Sequence, residues 1–160
     1  MASVVSEGGY SGGHSPERIE VLMYHSISTG DGPTCISPDV FAAQMAALAD
    51  AGYQVIPLSE MAALRSVGGA LPKKTAVITF DDAYADFAVN AAPVLLERGW
   101  AATVFAPTGW VGRRSGWHGA GAEALMDWGQ IRDLSSAGIE FGSHSVSHRD
   151  LTKLLGEELR

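Results

Sequence analysis

The stretch TAVITFDDAY, residues 75–84, decides how this chain is read. It begins as a strand: Thr75–Phe80 is an uncharged run rich in β-branched residues and closed by an aromatic one. It then stops on two adjacent aspartates, Asp81 and Asp82. Aspartate is a poor strand residue, and neighbouring carboxylates repel unless something cationic lies between them. A second run ends in a comparable way. Ile139–Gly142 (IEFG) leads into SHSVSH, which places His144 and His148 four positions apart.

Around these two tips the chain alternates. Ile19–Tyr24 (IEVLMY) has strand character. Ser37-Pro38 reads as a helix start, an N-cap serine followed by proline at the first helical position. Phe41, Met45, Leu48 and Ala49 then recur at helical spacing as far as Gly52. Tyr53–Ile56 is a second strand, and Ser59–Val67 a short helix opened by its serine and stopped by Gly68-Gly69. Beyond the Thr75–Phe80 strand, Asp86–Arg98 reads as a helix that must accommodate Pro93. A mid-helix proline costs about 3 kcal/mol unless it kinks the helix or starts it anew. Ala101–Ala106 is the fourth strand, Pro107–Gly121 a glycine-rich loop, Asp127–Ala137 a helix and Ile139–Gly142 the fifth strand. Alternating strands and helices, with strands apolar on both faces, predict a parallel sheet. Ligands bind such sheets beyond the C-terminal strand ends, where both polar pairs fall.

Composition bounds the function. The chain has 160 residues, of which 46% are hydrophobic, enough for one domain with a real core. A net charge of −7 with no basic stripe argues against nucleic acid as a partner. The single cysteine, Cys35, forms no internal disulfide and says nothing of the compartment. No apolar stretch reaches the length of a membrane span. Residues 1–17 are rich in Gly and Ser and read as a flexible tail, leaving 18–160 as the β/α domain. The tail has no basic start followed by an apolar core, so it is not a secretory signal; localisation stays open between cytoplasm and export with the signal removed.

The two pairs suggest chemistry together. Histidines at i and i+4 share the face of a helical turn, so both imidazoles are expected to reach one cation from such a turn. A carboxylate from another strand end would complete three protein ligands and leave a position for water, the form of catalytic divalent sites. Such an ion lowers the pKa of its water to about 7 and polarises a carbonyl. One aspartate then binds the ion while the other accepts a proton as general base. Taken singly, each pair has a plainer reading: surface histidines, or an aspartate turn or helix cap. Both together, each closing an apolar strand, favour the metal site.

These residues also carry a resemblance. TFDDAY and HSVSH are similar to the first two motifs of the polysaccharide deacetylases, the NodB-like carbohydrate esterases, which typically read Thr-Phe/Tyr-Asp-Asp-Gly and His-Ser/Thr-x-x-His. VLMYHSI and FAAQMAALADAGYQVIPL resemble the first strand and first helix of family members, and the similarity runs from about Ile19 to Leu155. The resemblance implies an α/β fold, a distorted β/α barrel, and metal-dependent removal of acetyl groups from an N- or O-acetylated carbohydrate. By matched position, Asp81 is expected as the catalytic base and Asp82, His144 and His148 as metal ligands. Zinc is the expected ion, with cobalt and nickel also suited to these donors.

The chain departs from the family pattern in two places. Ala83 stands where the family usually has glycine, which costs something if that position needs φ > 0. The family's later motifs, which supply an arginine, a hydrophobic wall with a further aspartate, and an acid histidine, lie well beyond the second histidine motif. Here Arg160 is only twelve residues past His148. No upstream replacement is evident. His25 reads as a structural or substrate-edge residue, His118 as solvent-exposed in the loop, and His14 as part of the tail. Trp110 and Trp117 are candidates for stacking on sugar rings, and equally for packing. Five parallel strands do not close a small barrel, so a domain truncated to about five strands is expected, or one whose open edge is covered by a second chain or a homo-oligomer. Two other functions compete with deacetylation of a polysaccharide: a catalytically incomplete metal- or carbohydrate-binding protein, and a hydrolase of a small amide on the same fold.

Overall fold

The computed structural model describes residues 19–70, 72–117 and 121–158. The expected tail with His14, and His118 in the tryptophan loop, lie outside the described residues.

Five parallel strands form the main sheet. β1 (Glu20–Tyr24) lies beside β5 (Thr75–Asp81), followed by β6 (Thr103–Ala106) and β7 (Glu140–Ser143). Short β4 (Gln54–Val55) pairs with the first two residues of β5. Ala76 of β5 pairs with both Glu20 and Val55, so β4 occupies the edge opposite β1. Among the described residues β1 is not paired with β7, and the sheet they form is an open arc. Two short strands, β2 (Ser26–Ile27) and β3 (Cys35–Ile36), form a separate parallel pair that the sequence reading missed. At two residues each, they have no periodicity to detect.

β5 is central because it is buried from Thr75 to Phe80, as its apolar run requires. Phe80 packs against Tyr24, Phe41 and Phe87, with ring centroids 5.4, 5.8 and 4.6 Å away. Phe41 and Met45 come from α1 (Pro38–Asp50), whose N-cap is Ser37, bonded to Val40 N–H as expected. α2 (Leu58–Ser66) differs in its start. Ser59 is inside the helix rather than capping it, and Pro57 precedes it. The Ser59 hydroxyl instead donates to Glu140 on β7, whose carboxylate also accepts from Thr103 Oγ1 at 3.0 Å.

The expected Asp86–Arg98 helix is two segments. A π-helical turn, Phe87–Ala91, feeds α3 (Ala92–Leu96), and Pro93 falls in the first turn of α3. Proline is tolerated in a first helical turn, where its fixed φ suits the backbone, and here the helix starts anew after the π-helical turn. Arg98 lies beyond the last helical residue, in the turn to Gly99. α4 (Trp128–Ser136) starts at a capping box between Asp127 and Gln130.

Candidate functional site

The site is built at the C-terminal tips of β5 and β7, with β6 between them. Asp81 is the last residue of β5, level with Phe105 on β6, which is level with Gly142 on β7. A side chain at Gly142 would meet the Phe105 ring at 2.7 Å, so glycine there lets that ring lie over β7. Beyond the strand the backbone turns sharply. Asp82 and Ala83 have φ of 72° and 55°, both left-handed. The Ala83 carbonyl accepts from Met126 N–H at 2.9 Å, and Ala85 N–H donates to Ala124 O at 2.9 Å, which pins the turn. The left-handed conformation explains the family's glycine at this position. Alanine keeps a methyl buried there, at 1% exposure.

His144 and His148 are not on a helix. They flank a tight turn in which Ser145 and His148 adopt φ of 62° and 51°. Backbone bonds hold it: His144 N–H to Ala106 O, Thr108 N–H to Ser145 O and Gly109 N–H to Val146 O. The Ser145 hydroxyl accepts from His148 N–H at 3.0 Å. The four-residue spacing brings the imidazoles together by a route other than the one expected, with ring centroids 5.0 Å apart.

Both rings face Asp82. Its Oδ1 lies 2.9 Å from His148 Nε2 and 3.5 Å from His144 Nε2. One donor atom from each of the three residues lies within 4.8 Å of the others. In a tetrahedral site with bonds of about 2.0–2.2 Å, neighbouring donors sit roughly 3.3–3.6 Å apart, and this set is close to that. Asp82 is buried, and its Oδ1 accepts no hydrogen bond among the described residues. A buried carboxylate oxygen that makes no hydrogen bond is costly, and a cation between it and the two imidazole nitrogens satisfies it. By donor chemistry, spacing and this orphaned oxygen, the three residues fit a divalent ion.

Asp81 stands beside this cluster without belonging to it. Burial pushes its carboxyl above the usual carboxylate range. His144, His25 and His148 oppose that shift and Asp82 reinforces it. His25 follows β1, and the register Tyr24 with Phe80 sets it level with Asp81. Its Nε2 lies 4.0 Å from Asp81 Oδ2, which is ion-pair range but not a hydrogen bond. The structure therefore brings His25 beside Asp81. The two are 56 positions apart, and only the pairing of β1 with β5 reveals the contact.

The tryptophans brace the histidine turn. Trp117 stacks on His148 with centroids 4.0 Å apart, and Trp110 meets Trp117 edge-on at 5.8 Å. Trp110 Nε1 donates to Ser147 O at 3.1 Å. One face of Trp117 is thus taken by protein. Tyr84, buried at 2% exposure, hydrogen-bonds Asp82 through its side chain, a contact the sequence reading did not anticipate. Tyr84 also lines a cavity of about 320 Å³ together with Ser26, Cys35 and Glu123.

Comparison with known proteins agrees with this architecture. The polysaccharide deacetylase family profile matches residues 68–160. YxkH of Bacillus subtilis (strain 168), assigned provisionally as a polysaccharide deacetylase, is 32% identical over 143 residues, covering 89% of this chain and 48% of that protein. The poly-beta-1,6-N-acetyl-D-glucosamine N-deacetylase of Escherichia coli (strain K12) is 33% identical over 110 residues, covering 64% of this chain and 16% of that protein. Among solved structures, the Streptococcus pyogenes deacetylase PplD in complex with acetate superposes with a TM-score of 0.76 at 27% identity, over 90% of this chain and 63% of that one. The chain belongs to the polysaccharide deacetylase family, and its fold is the NodB-like distorted β/α barrel, here as a five-stranded open arc. It spans about half the length of YxkH and a smaller share of the E. coli enzyme.

Proposed function

We propose that this chain carries the catalytic centre of a metal-dependent deacetylase acting on an N- or O-acetylated polysaccharide. The observation that carries the reading is the convergence of Asp82, His144 and His148 around one buried carboxylate oxygen, with Asp81 alongside. A family profile over residues 68–160 supports the substrate class, as does a relative named as a poly-beta-1,6-N-acetyl-D-glucosamine N-deacetylase.

A divalent ion held by Asp82, His144 and His148, most simply zinc, would polarise the acetyl carbonyl and acidify a water next to it. Asp81 accepts the proton of that water through a carboxylate oxygen as the water oxygen attacks the acyl carbon. The tetrahedral adduct then collapses with cleavage of the C–N or C–O bond. The leaving nitrogen or oxygen needs a proton, and we assign that donor role to His25, whose Nε2 lies 4.0 Å from Asp81 Oδ2. This proposed role differs from the structural or substrate-edge one read from sequence. It supplies from β1 an acid that the family draws from a later motif. Trp117, stacked on His148, holds the ligand ring, which leaves only the remaining edges of the two tryptophans for the polymer.

The test is acetate release from an acetylated chitooligosaccharide by zinc-loaded protein. Turnover lost in Asp81→Asn, with zinc binding kept, is the expected result. Zinc binding without turnover on any amide or ester substrate would instead make this a metal- or carbohydrate-binding protein.

A further inference from the structure

We propose that Asp86 and Asn90 form a clamp that sets His25 against Asp81, making them positioning residues for the reaction. The two residues that follow His25, Ser26 and Ile27, belong to β2, which pairs only with the two residues of β3. The main sheet therefore fixes His25 from its N-terminal side alone. The other side is held by side chains. Ser26 Oγ donates to Asp86 Oδ2 at 2.6 Å, and Ile27 N–H donates to Asp86 Oδ1 at 3.1 Å. Asn90 Nδ2 donates to the Ile27 carbonyl at 2.7 Å.

Both clamped residues are buried, Ser26 at 3% exposure and Ile27 at 0%. Water cannot easily take over these bonds, so losing one leaves an orphaned polar group. The clamp residues are four apart across the π-helical turn Phe87–Ala91. Residues four apart present side chains to the same side, and π-turns in helices recur at functional sites. The same turn follows directly on Asp81–Tyr84. One local segment thus supplies the proposed base, a metal ligand and the clamp on the proposed acid. Asp86 suits the role because both of its oxygens accept. An asparagine keeps one acceptor and turns a donor toward another donor.

The inference rests on the reading that His25 works with Asp81, and the experiment separates the two. The zinc-loaded chain is labelled at histidine with ¹³C and ¹⁵N and observed by NMR as wild type, Asp86→Asn, Asn90→Ala and His25→Ala. In both clamp variants the His25 ring signals should shift or broaden, with the His144 and His148 signals and the zinc affinity unchanged. In the kinetic arm, Asp86→Asn should lower kcat about 10–100-fold with KM little changed, the scale expected for a misplaced catalytic group. Adding Asp86→Asn to His25→Ala should cost no more than His25→Ala alone, because both changes act through one imidazole. Wild-type His25 signals in both clamp variants, or effects on kcat that multiply, would overturn the clamp. A His25→Ala protein with full turnover would remove the acid assignment, while the ring signals still decide whether Asp86 and Asn90 fix the imidazole.

Discussion

Ala83 shows how closely the single residue is constrained here. At φ 55° an L-residue carries strain of about 1–2 kcal/mol, which glycine would relieve. The buried methyl is worth about 0.8 kcal/mol, and glycine adds chain entropy to the unfolded state. These terms nearly cancel, so Ala83→Gly is expected to change stability by less than about 1 kcal/mol in urea unfolding. Asp82 is different. Removing it leaves two imidazoles without their shared carboxylate, and Asp82→Ala should weaken zinc binding by at least about 100-fold in a chelator competition. Asp86 gives a pH signature. Burial pushes its carboxyl up, against the bonds from Ser26, Ile27 and Phe87. The folded protein therefore holds this proton more tightly than the unfolded chain. The resulting stability is present below the unfolded value of about 4 and is lost as pH rises through the raised folded value. Compared with Asp86→Asn, which does not titrate, the wild type should lose ground in urea titrations as pH rises above about 4. A wild type that gains ground would mean that the hydrogen bonds outweigh burial.

At the scale of elements, the histidine turn carries the tightest geometry. A methyl at Gly109 would lie 2.6 Å from Val146 O, against backbone that is itself bonded to Gly109 N–H. Gly109→Ala should displace the turn, costing roughly 2 kcal/mol or more by thermal melting and weakening zinc affinity at the same time. A change in stability with full affinity would show that the turn is not what aims the imidazoles. Elements like this also mark where the sequence could be read and where it could not. The strand Thr75–Phe80, the capped start at Ser37-Pro38 and the polar strand ends that the fold brings together, Asp81-Asp82 and His144/His148, were legible, because burial period, cap chemistry and polar strand ends are local signals. The turn between His144 and His148 was not. Four-residue spacing is shared by a helical turn and by this one, and no glycine marks Ser145 or His148 as left-handed. Ser59 looked like a cap because its real partner, Glu140, is 81 positions away. The nearness of His25 to Asp81 was hidden for the same reason, since it depends on which strand lies next to β1.

For the whole molecule, the sheet gathers the candidate site residues of three separated segments on one rim. β1 brings His25, β5 brings the two aspartates, and β7 brings the two histidines, all parallel and all ending on the same side. Ligand binding at the tips of three strands couples the site to the fold. Zinc at about 100 times its dissociation constant adds about 2.7 kcal/mol to the folded state, and for a domain of this size that raises Tm by about 5–10 °C. A chelator should remove the gain, and His144→Ala should show no gain to remove. The most direct test of the central claim is anomalous diffraction at the zinc edge from crystals of the zinc-loaded chain. One peak is expected, within about 2.0–2.2 Å of a donor atom from each of Asp82, His144 and His148. A peak that misses any of these three side chains, or no peak among them, would contradict the account.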